Sequence, residues 1–184
     1  AGGTPVTVTA SVGIALCPAQ ATDEEALFRQ ASIAMYGAKR RGRGEFASYD
    51  AQLVAGAQTR FSLERRLQGA LERGEFSVHY QPQFNLATGR ISGMEALLRW
   101  THPELGGVAP AEFVPLAEET GLILPIGEWV LRSACRQVRA WLDQDLPAGR
   151  LAVNVTPVQF SQRDFGTTVA QVLRETGLPP SLLA

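Results

Sequence analysis

Apolar and polar residues alternate from Thr4 to Leu16. Val6, Val8, Ala10, Val12 and Ile14 fall on one side, and Thr7, Thr9, Ser11 and Gly13 on the other. Period two marks a half-buried strand or hairpin arm, and Pro18 ends it. The period then changes. Leu27, Ala31, Ala34, Met35 and Ala38 recur at helical spacing behind Asp23, a helix N-cap, with Glu24 and Glu25 in the first turn. Lys39, Arg40, Arg41 and Arg43 gather at the C-terminal end, where cations are favoured, and Gly42 and Gly44 stop the helix. Glu45 to Tyr49 reads as a short strand.

Residues 50–60 are small and polar, without a strong period, and read as a linker or connecting helix. A helix is expected from Phe61 to Arg73, capped by Gly74. Phe76 to Phe84 alternates again, with Phe76, Val78, Tyr80 and Phe84 opposite Ser77, His79, Gln81 and Gln83. Ala87-Thr88-Gly89 is turn chemistry leading to a further strand. Helices follow at 111–120 and 126–143, then a strand at Leu151–Val155 and a last helix at Asp164–Glu175. Strand, helices, strand, helix after residue 90 implies parallel βα units.

One position breaks the pattern. Glu95 lies inside the apolar run Met94-Glu95-Ala96-Leu97-Leu98-Arg99-Trp100. Period two puts Glu95, Leu97 and Arg99 on one face and Met94, Ala96, Leu98 and Trp100 on the other. A buried, unpartnered carboxylate costs several kcal/mol. Glu95 is therefore expected to have either an internal ion pair with Arg99 or a functional role.

Composition excludes several classes. The 184 residues are 45% hydrophobic and 19% charged, as in a folded globular chain. A net charge of -1 gives no sign of a nucleic-acid or membrane partner. The run Lys39-Arg40-Arg41-Gly42-Arg43 has no interleaved aromatics, so it reads as a solvated helix end. Cys17 and Cys135 are isolated, which points to a reducing compartment and away from disulfides or zinc. His79 and His102 lack ligand spacing. Trp129, Val130, Ala134, Val138 and Trp141 form a helical stripe suited to a core. The chain starts at Ala1 and stops just beyond a Pro-Pro turn, and it reads as a fragment of a longer parent protein.

An ordered series of short motifs resembles the EAL family of cyclic di-GMP phosphodiesterases. It starts with Tyr80-Gln81-Pro82, Glu95-Ala96-Leu97-Leu98-Arg99-Trp100 and His102-Pro103. It continues through Phe113-Val114-Pro115-Leu116-Ala117-Glu118, Gly121-Leu122-Ile123 and Ile126-Gly127-Glu128-Trp129-Val130-Leu131. Ala134-Cys135, Val153-Asn154-Val155-Thr156 and Gln159-Phe160 complete it. The first segment resembles the C-terminal end of a GGDEF domain, the diguanylate cyclase fold. The residues are Thr9-Ala10-Ser11-Val12-Gly13-Ile14-Ala15, Ala31, Ala34-Met35-Tyr36, Ala38-Lys39 and Gly42-Arg43. Gly44 departs from the Asn usual in that family, and the GGDEF motif itself would lie upstream of Ala1.

These resemblances imply an α/β chain: residues 1–50 as a GGDEF remnant, 51–60 as linker, and 61–184 as the first half of an EAL domain. The EAL fold is a modified TIM barrel with its site at the C-terminal ends of the strands. The resemblance implies two divalent ions, Mg²⁺ or Mn²⁺, with Glu95 and Asn154 as the first two metal and catalytic ligands. It implies that Arg99 contacts a substrate phosphate and that Gln81 and Leu97 touch the dinucleotide. Bonding of Asn154 to neighbouring backbone, exposure of Gln81 and core packing of Leu97 are the alternatives from the residues alone. Lys39 and Arg43 match GGDEF residues near nucleotide phosphates.

The implied reaction is hydrolysis of cyclic di-GMP to linear pGpG, with a catalytically inactive cyclic di-GMP receptor as the alternative. Further carboxylates and a lysine are expected beyond Ala184, so residues 1–184 alone are expected to be inactive. The implied location is cytoplasmic. The resemblance also allows a homodimer through the EAL domain and a membrane anchor elsewhere in the parent.

Overall fold

The structure, a computed structural model, describes residues 9–20, 23–42, 44–147 and 149–184. The chain divides into two compact units, Ala1–Leu63 and Glu64–Ala184.

In the first unit, β1 (Val12–Ile14) and β2 (Phe46–Ser48) pair in parallel, with α1 (Glu24–Arg41) as the crossover. Asp23 caps α1: its Oδ1 accepts the Ala26 N–H at 2.8 Å. Gly42 ends the helix with a φ of 143°. Ala34, Ala38 and Ala47 form the small core. The alternation in β1 is real, but the apolar side is not the packed one. Val12 and Ile14 are exposed, and Gly13 faces α1. A Cβ on Gly13 would overlap the Ala31 carbonyl oxygen and lie 2.8 Å from Met35 Cβ. The strand thus lies backbone-to-backbone on the helix. Residues 4–8, the start of the expected strand, lie outside the described residues.

α2 (Ala51–Leu67) includes the segment expected to be a linker or connecting helix. It ends earlier than Arg73 because Gly69 turns to a φ of 72°. Arg73 then folds back over the helix end. Its guanidinium donates to the carbonyls of Arg66 at 2.5 Å and Gln68 at 2.9 Å, two acceptors a helix C-terminus leaves open.

The second unit is built on a mixed sheet. β3 (Phe76–Phe84) pairs antiparallel with β4 (Ile91–His102) through a tight turn. Asn85 Oδ1 accepts from the Ala87 and Thr88 N–H groups there, and Gly89 has a φ of 66°. A register shift at Gln83/Phe84 takes Phe84 out of the expected apolar row and leaves it exposed. The other edge of β4 is shared. β5 (Gly106–Val108) pairs antiparallel with its C-terminal part, and β6 (Arg150–Val153) pairs in parallel with Gly93–Ala96. The expected parallel βα unit is therefore present between β4 and β6. Leu183 forms a parallel bridge with Leu151 on β6.

Helices cover one face of this sheet. α3 (Pro110–Thr120) and α4 (Ile123–Leu142) follow β5, and α5 (Pro157–Phe160) and α6 (Phe165–Thr176) follow β6. Met94 and Ala96 of β4 and Leu151 of β6 are buried with Leu131, Ala134, Cys135 and Val138 of α4 and Val172 of α6. Burying a Leu or Val side chain contributes about 1.5–3 kcal/mol. At the other end of β4, Trp100 packs with Phe76 and Phe113, ring centroids 5.5–6.1 Å apart.

Candidate functional site

The register of three strands assembles the site. Gln81 on β3 lies opposite Glu95 on β4, and Glu95 lies opposite Ala152 on β6. Side chains alternate along each strand. Gln81, Glu95, Leu97 and Arg99 therefore share the face opposite the helices, and Asn154, two residues after Ala152, joins them. Asn154 sits one residue beyond the end of β6, not within the strand as expected. Its Nδ2 donates to Glu95 Oε1 at 2.6 Å.

The position of Glu95 removes the energetic puzzle. The carboxylate is not buried: the residue is partly exposed, on the face without helices. The alternative of an ion pair with Arg99 is not realised among the described residues. Arg99 Nη1 instead donates to its neighbour's carbonyl, Leu98 O, at 2.9 Å. Arg99 is half-buried and has no carboxylate partner among the described residues, an arrangement suited to an anion. Leu97 is half-buried and Gln81 exposed.

The helix-covered face is chemically quiet. Burial pushes the Tyr80 hydroxyl up to about 12 and the Cys135 thiol up to about 11. Both groups are neutral near pH 7, so Cys135 is packing, not a nucleophile. Tyr80 packs edge-on to Trp141, centroids 4.8 Å apart. His102 is buried at the end of β4, more enclosed than a simple turn residue. Its Nδ1 accepts the Glu104 N–H at 3.1 Å, and Arg66 Nη1 lies 3.3 Å from its Nε2.

Glu95 and Asn154 fit part of a site for a hard cation. Both carry oxygens, the atoms preferred by Mg²⁺ and Mn²⁺. A carboxylate only accepts, so the Asn154 amide turns its NH₂ toward Glu95, leaving Oδ1 and one carboxylate oxygen for other partners. Among the described residues, no group of three or more His, Cys, Asp or Glu side chains converges as a metal site. The pair offers oxygens for part of a ligand set, not a cage.

An apolar cleft of about 520 Å³ opens beside Asn154, lined by Leu131, Val153, Gln159 and Phe165, with Glu128 and Asp164 among its polar groups. In the first unit, Lys39 is exposed near the end of α1, and Arg43 lies outside the described residues. Pattern reasoning gave no role to Gln159, whose buried side chain touches the loop that carries Asn154. The capping spacing Thr156-x-x-Gln159 was the available signal.

On this open-faced α/β sheet the Glu95 carboxylate and the Asn154 amide meet at the ends of two parallel strands. The chain belongs to the EAL domain family, whose model matches residues 64–184. It is 43% identical over 178 residues to the bifunctional diguanylate cyclase/cyclic di-GMP phosphodiesterase MucR of Pseudomonas aeruginosa, covering 97% of this chain and 26% of that protein. It is 39% identical over 170 residues to the cyclic di-GMP phosphodiesterase PdeR of Escherichia coli, covering 92% of this chain and 25% of that protein. The solved MucR phosphodiesterase in complex with c-di-GMP superposes with a TM-score of 0.64 at 46% identity, over 66% of this chain and 49% of that one. The chain thus spans about a quarter of these curated relatives and about half of the solved phosphodiesterase chain.

Proposed function

We propose that the protein hydrolyses one phosphodiester bond of cyclic di-GMP to give linear pGpG. The observation that carries this reading is the 2.6 Å contact between Glu95 and Asn154 on the open sheet face, in register with Gln81 and on the same side as Arg99. Similarity to MucR and PdeR supports the substrate. In this reading Glu95 and Asn154 hold a divalent ion, Mg²⁺ or Mn²⁺, through their side-chain oxygens. Such an ion supplies a water of lowered pKa and neutralises charge on the phosphate. The Arg99 guanidinium grips a non-bridging phosphate oxygen pair. Gln81 and Leu97 line the path of the dinucleotide, one by hydrogen bonding and one by apolar contact.

The wider assignment belongs to the same proposal. Residues 61–184 are the first part of a modified TIM barrel, with β4 and β6 as neighbouring staves. Residues 1–50 are the C-terminal piece of a GGDEF domain, joined through 51–60. Lys39 and Arg43 are its remnant of a nucleotide-phosphate site. Cys17 and Cys135 are both free thiols, which supports a reducing, cytoplasmic setting. No described helix is long and apolar enough to cross a membrane.

A second reading is a cyclic di-GMP receptor without turnover. It rests on Arg99, Gln81 and Leu97, which can hold the dinucleotide without the complete metal site that turnover needs. One experiment separates the two. The full-length gene product containing this sequence is incubated with cyclic di-GMP and Mg²⁺ or Mn²⁺, and pGpG is followed by chromatography. Metal-dependent pGpG formation is expected. Tight binding without product from folded protein would establish the receptor instead.

A further inference from the structure

Asn154 is reached by the chain from β6 and left again within two residues, because α5 begins at Pro157. Among the described residues its side chain has one hydrogen bond, the one to Glu95. α5 is only four residues long and holds no orientation of its own. Gln159 holds it. This residue is 7% exposed. Its Oε1 accepts the Thr156 N–H at 3.1 Å, and its own N–H donates to Thr156 Oγ1 at 3.4 Å, a reciprocal cap at the helix start.

The same side chain is seated on α4. A Cβ added to Gly127 would lie 2.7 Å from Gln159 Cδ and collide with its amide nitrogen. Gly127 lies inside α4 without a positive φ. Conformational freedom therefore does not explain a glycine there, and glycine is a poor helix former. Space for Gln159 does explain it. Gln159 thus ties the Asn154–Thr156 segment to a long helix through one backbone bond and one notch.

We propose that Gln159, seated in the Gly127 notch, is a positioning residue that sets Asn154 against Glu95 for metal binding. The inference rests on the metal-ligand reading of Asn154 given above. The device suits that role because it fixes the backbone and leaves the Asn154 amide unencumbered. Asn154 presents NH₂ to Glu95 here and must present Oδ1 to a cation. A clamp two residues downstream allows that rotation, whereas a direct bond to the amide would oppose it. Outer residues that orient ligands commonly change metal affinity by about 10–100-fold.

The test uses the full-length gene product and three variants: Gln159→Leu, Gln159→Glu and Gly127→Ala. Mn²⁺ binding without substrate is measured by electron paramagnetic resonance, and amide hydrogen exchange is followed at Thr156. Gln159→Leu fills the notch but loses the acceptor. It should weaken Mn²⁺ binding by about tenfold or more and speed exchange at Thr156. Half-saturating Mn²⁺ for hydrolysis should rise in step, with kcat at saturating metal within about threefold of wild type. Gln159→Glu keeps an acceptor that reaches the Thr156 N–H and should restore Mn²⁺ affinity. Gly127→Ala pushes the amide out from the other side and should weaken Mn²⁺ binding as Gln159→Leu does.

A folded Gln159→Leu protein with wild-type Mn²⁺ affinity would overturn the proposal, as would a Gln159→Glu protein no better than the leucine variant. If Gln159→Leu and Gly127→Ala both fail to fold, Gln159 serves the fold and the proposal falls. Wild-type protein that binds no Mn²⁺ would overturn the metal reading and this inference together. Wild-type binding with unaffected variants would overturn this inference alone.

Discussion

The Glu75 carboxylate accepts the indole N–H of Trp100 at 2.9 Å while Arg73 donates to its other side at 2.5 Å. Trp100 is among the largest fully buried side chains, so this carboxylate anchors the aromatic end of β4. The Arg73 hydrogen bond is the main cause holding Glu75 below its ordinary value of 4.5, with the Trp100 bond adding to it against the effect of burial. A depressed carboxyl stabilises the fold above the unfolded-state value, and that contribution disappears as pH falls through the folded-state value. Stability should therefore drop below about pH 4.5 in part through Glu75. Glu75→Gln should cost about 1–2 kcal/mol at pH 7, and the gap should narrow toward about pH 2 as the wild-type carboxyl takes up its proton. Urea unfolding at both pH values measures this, and an equal gap at the two would exclude Glu75 as the source.

Glu95→Gln should abolish hydrolysis of cyclic di-GMP and leave the fold in place. The amide oxygen still accepts from Asn154, so unfolding free energy should change by less than about 1 kcal/mol. Turnover at saturating Mg²⁺ in this variant would make Glu95 structural. The comparison needs pGpG formation and a melting curve on the same preparation.

Arg99→Lys should weaken cyclic di-GMP binding by about tenfold, or ~1.4 kcal/mol. An ammonium keeps the charge but cannot present the two-pronged fork to phosphate. Calorimetry in the Glu95→Gln background, where turnover is blocked, reads the affinity directly. Equal affinities would remove Arg99 from the phosphate contact.

Gly13→Ala tests the close approach of β1 to α1. The new methyl meets the backbone of Ala31 and Met35, and backbone cannot swing aside as a side-chain tip can. Destabilisation of about 1–3 kcal/mol is expected, confined to the first unit. Faster amide exchange in α1, with exchange in α4 unchanged, is the corresponding signature.

Much of this was legible in the chain because strands announce their faces. The alternation at Phe76–Tyr80 and Met94–Trp100 separated the two sides of the sheet correctly. What alternation does not say is which side is covered. It therefore suggested burial for Glu95, which is partly exposed, and packing for Val12 and Ile14, where Gly13 is the contact. Gly69 and Gly74 carry the same local stop signal and both have a positive φ, so pattern alone does not show which of them ends α2. β5 and α5, of three and four residues, are too short to show a period. The meeting of Glu95 with Asn154 joins positions 59 residues apart. Only the family resemblance placed both at one site, since no local pattern encodes such a distant contact.

β4 interleaves two inheritances on one ribbon. Met94, Ala96 and Trp100 answer to the helices behind the sheet, and Glu95, Leu97 and Arg99 to whatever stands before it. Variation at the second set can retune ligand chemistry with little disturbance of the scaffold. A single inserted or deleted residue in this stretch would exchange the two sets, driving Glu95 and Arg99 into oil and Trp100 into water. The strand is therefore permissive to substitution at alternate letters and intolerant of any change in its length.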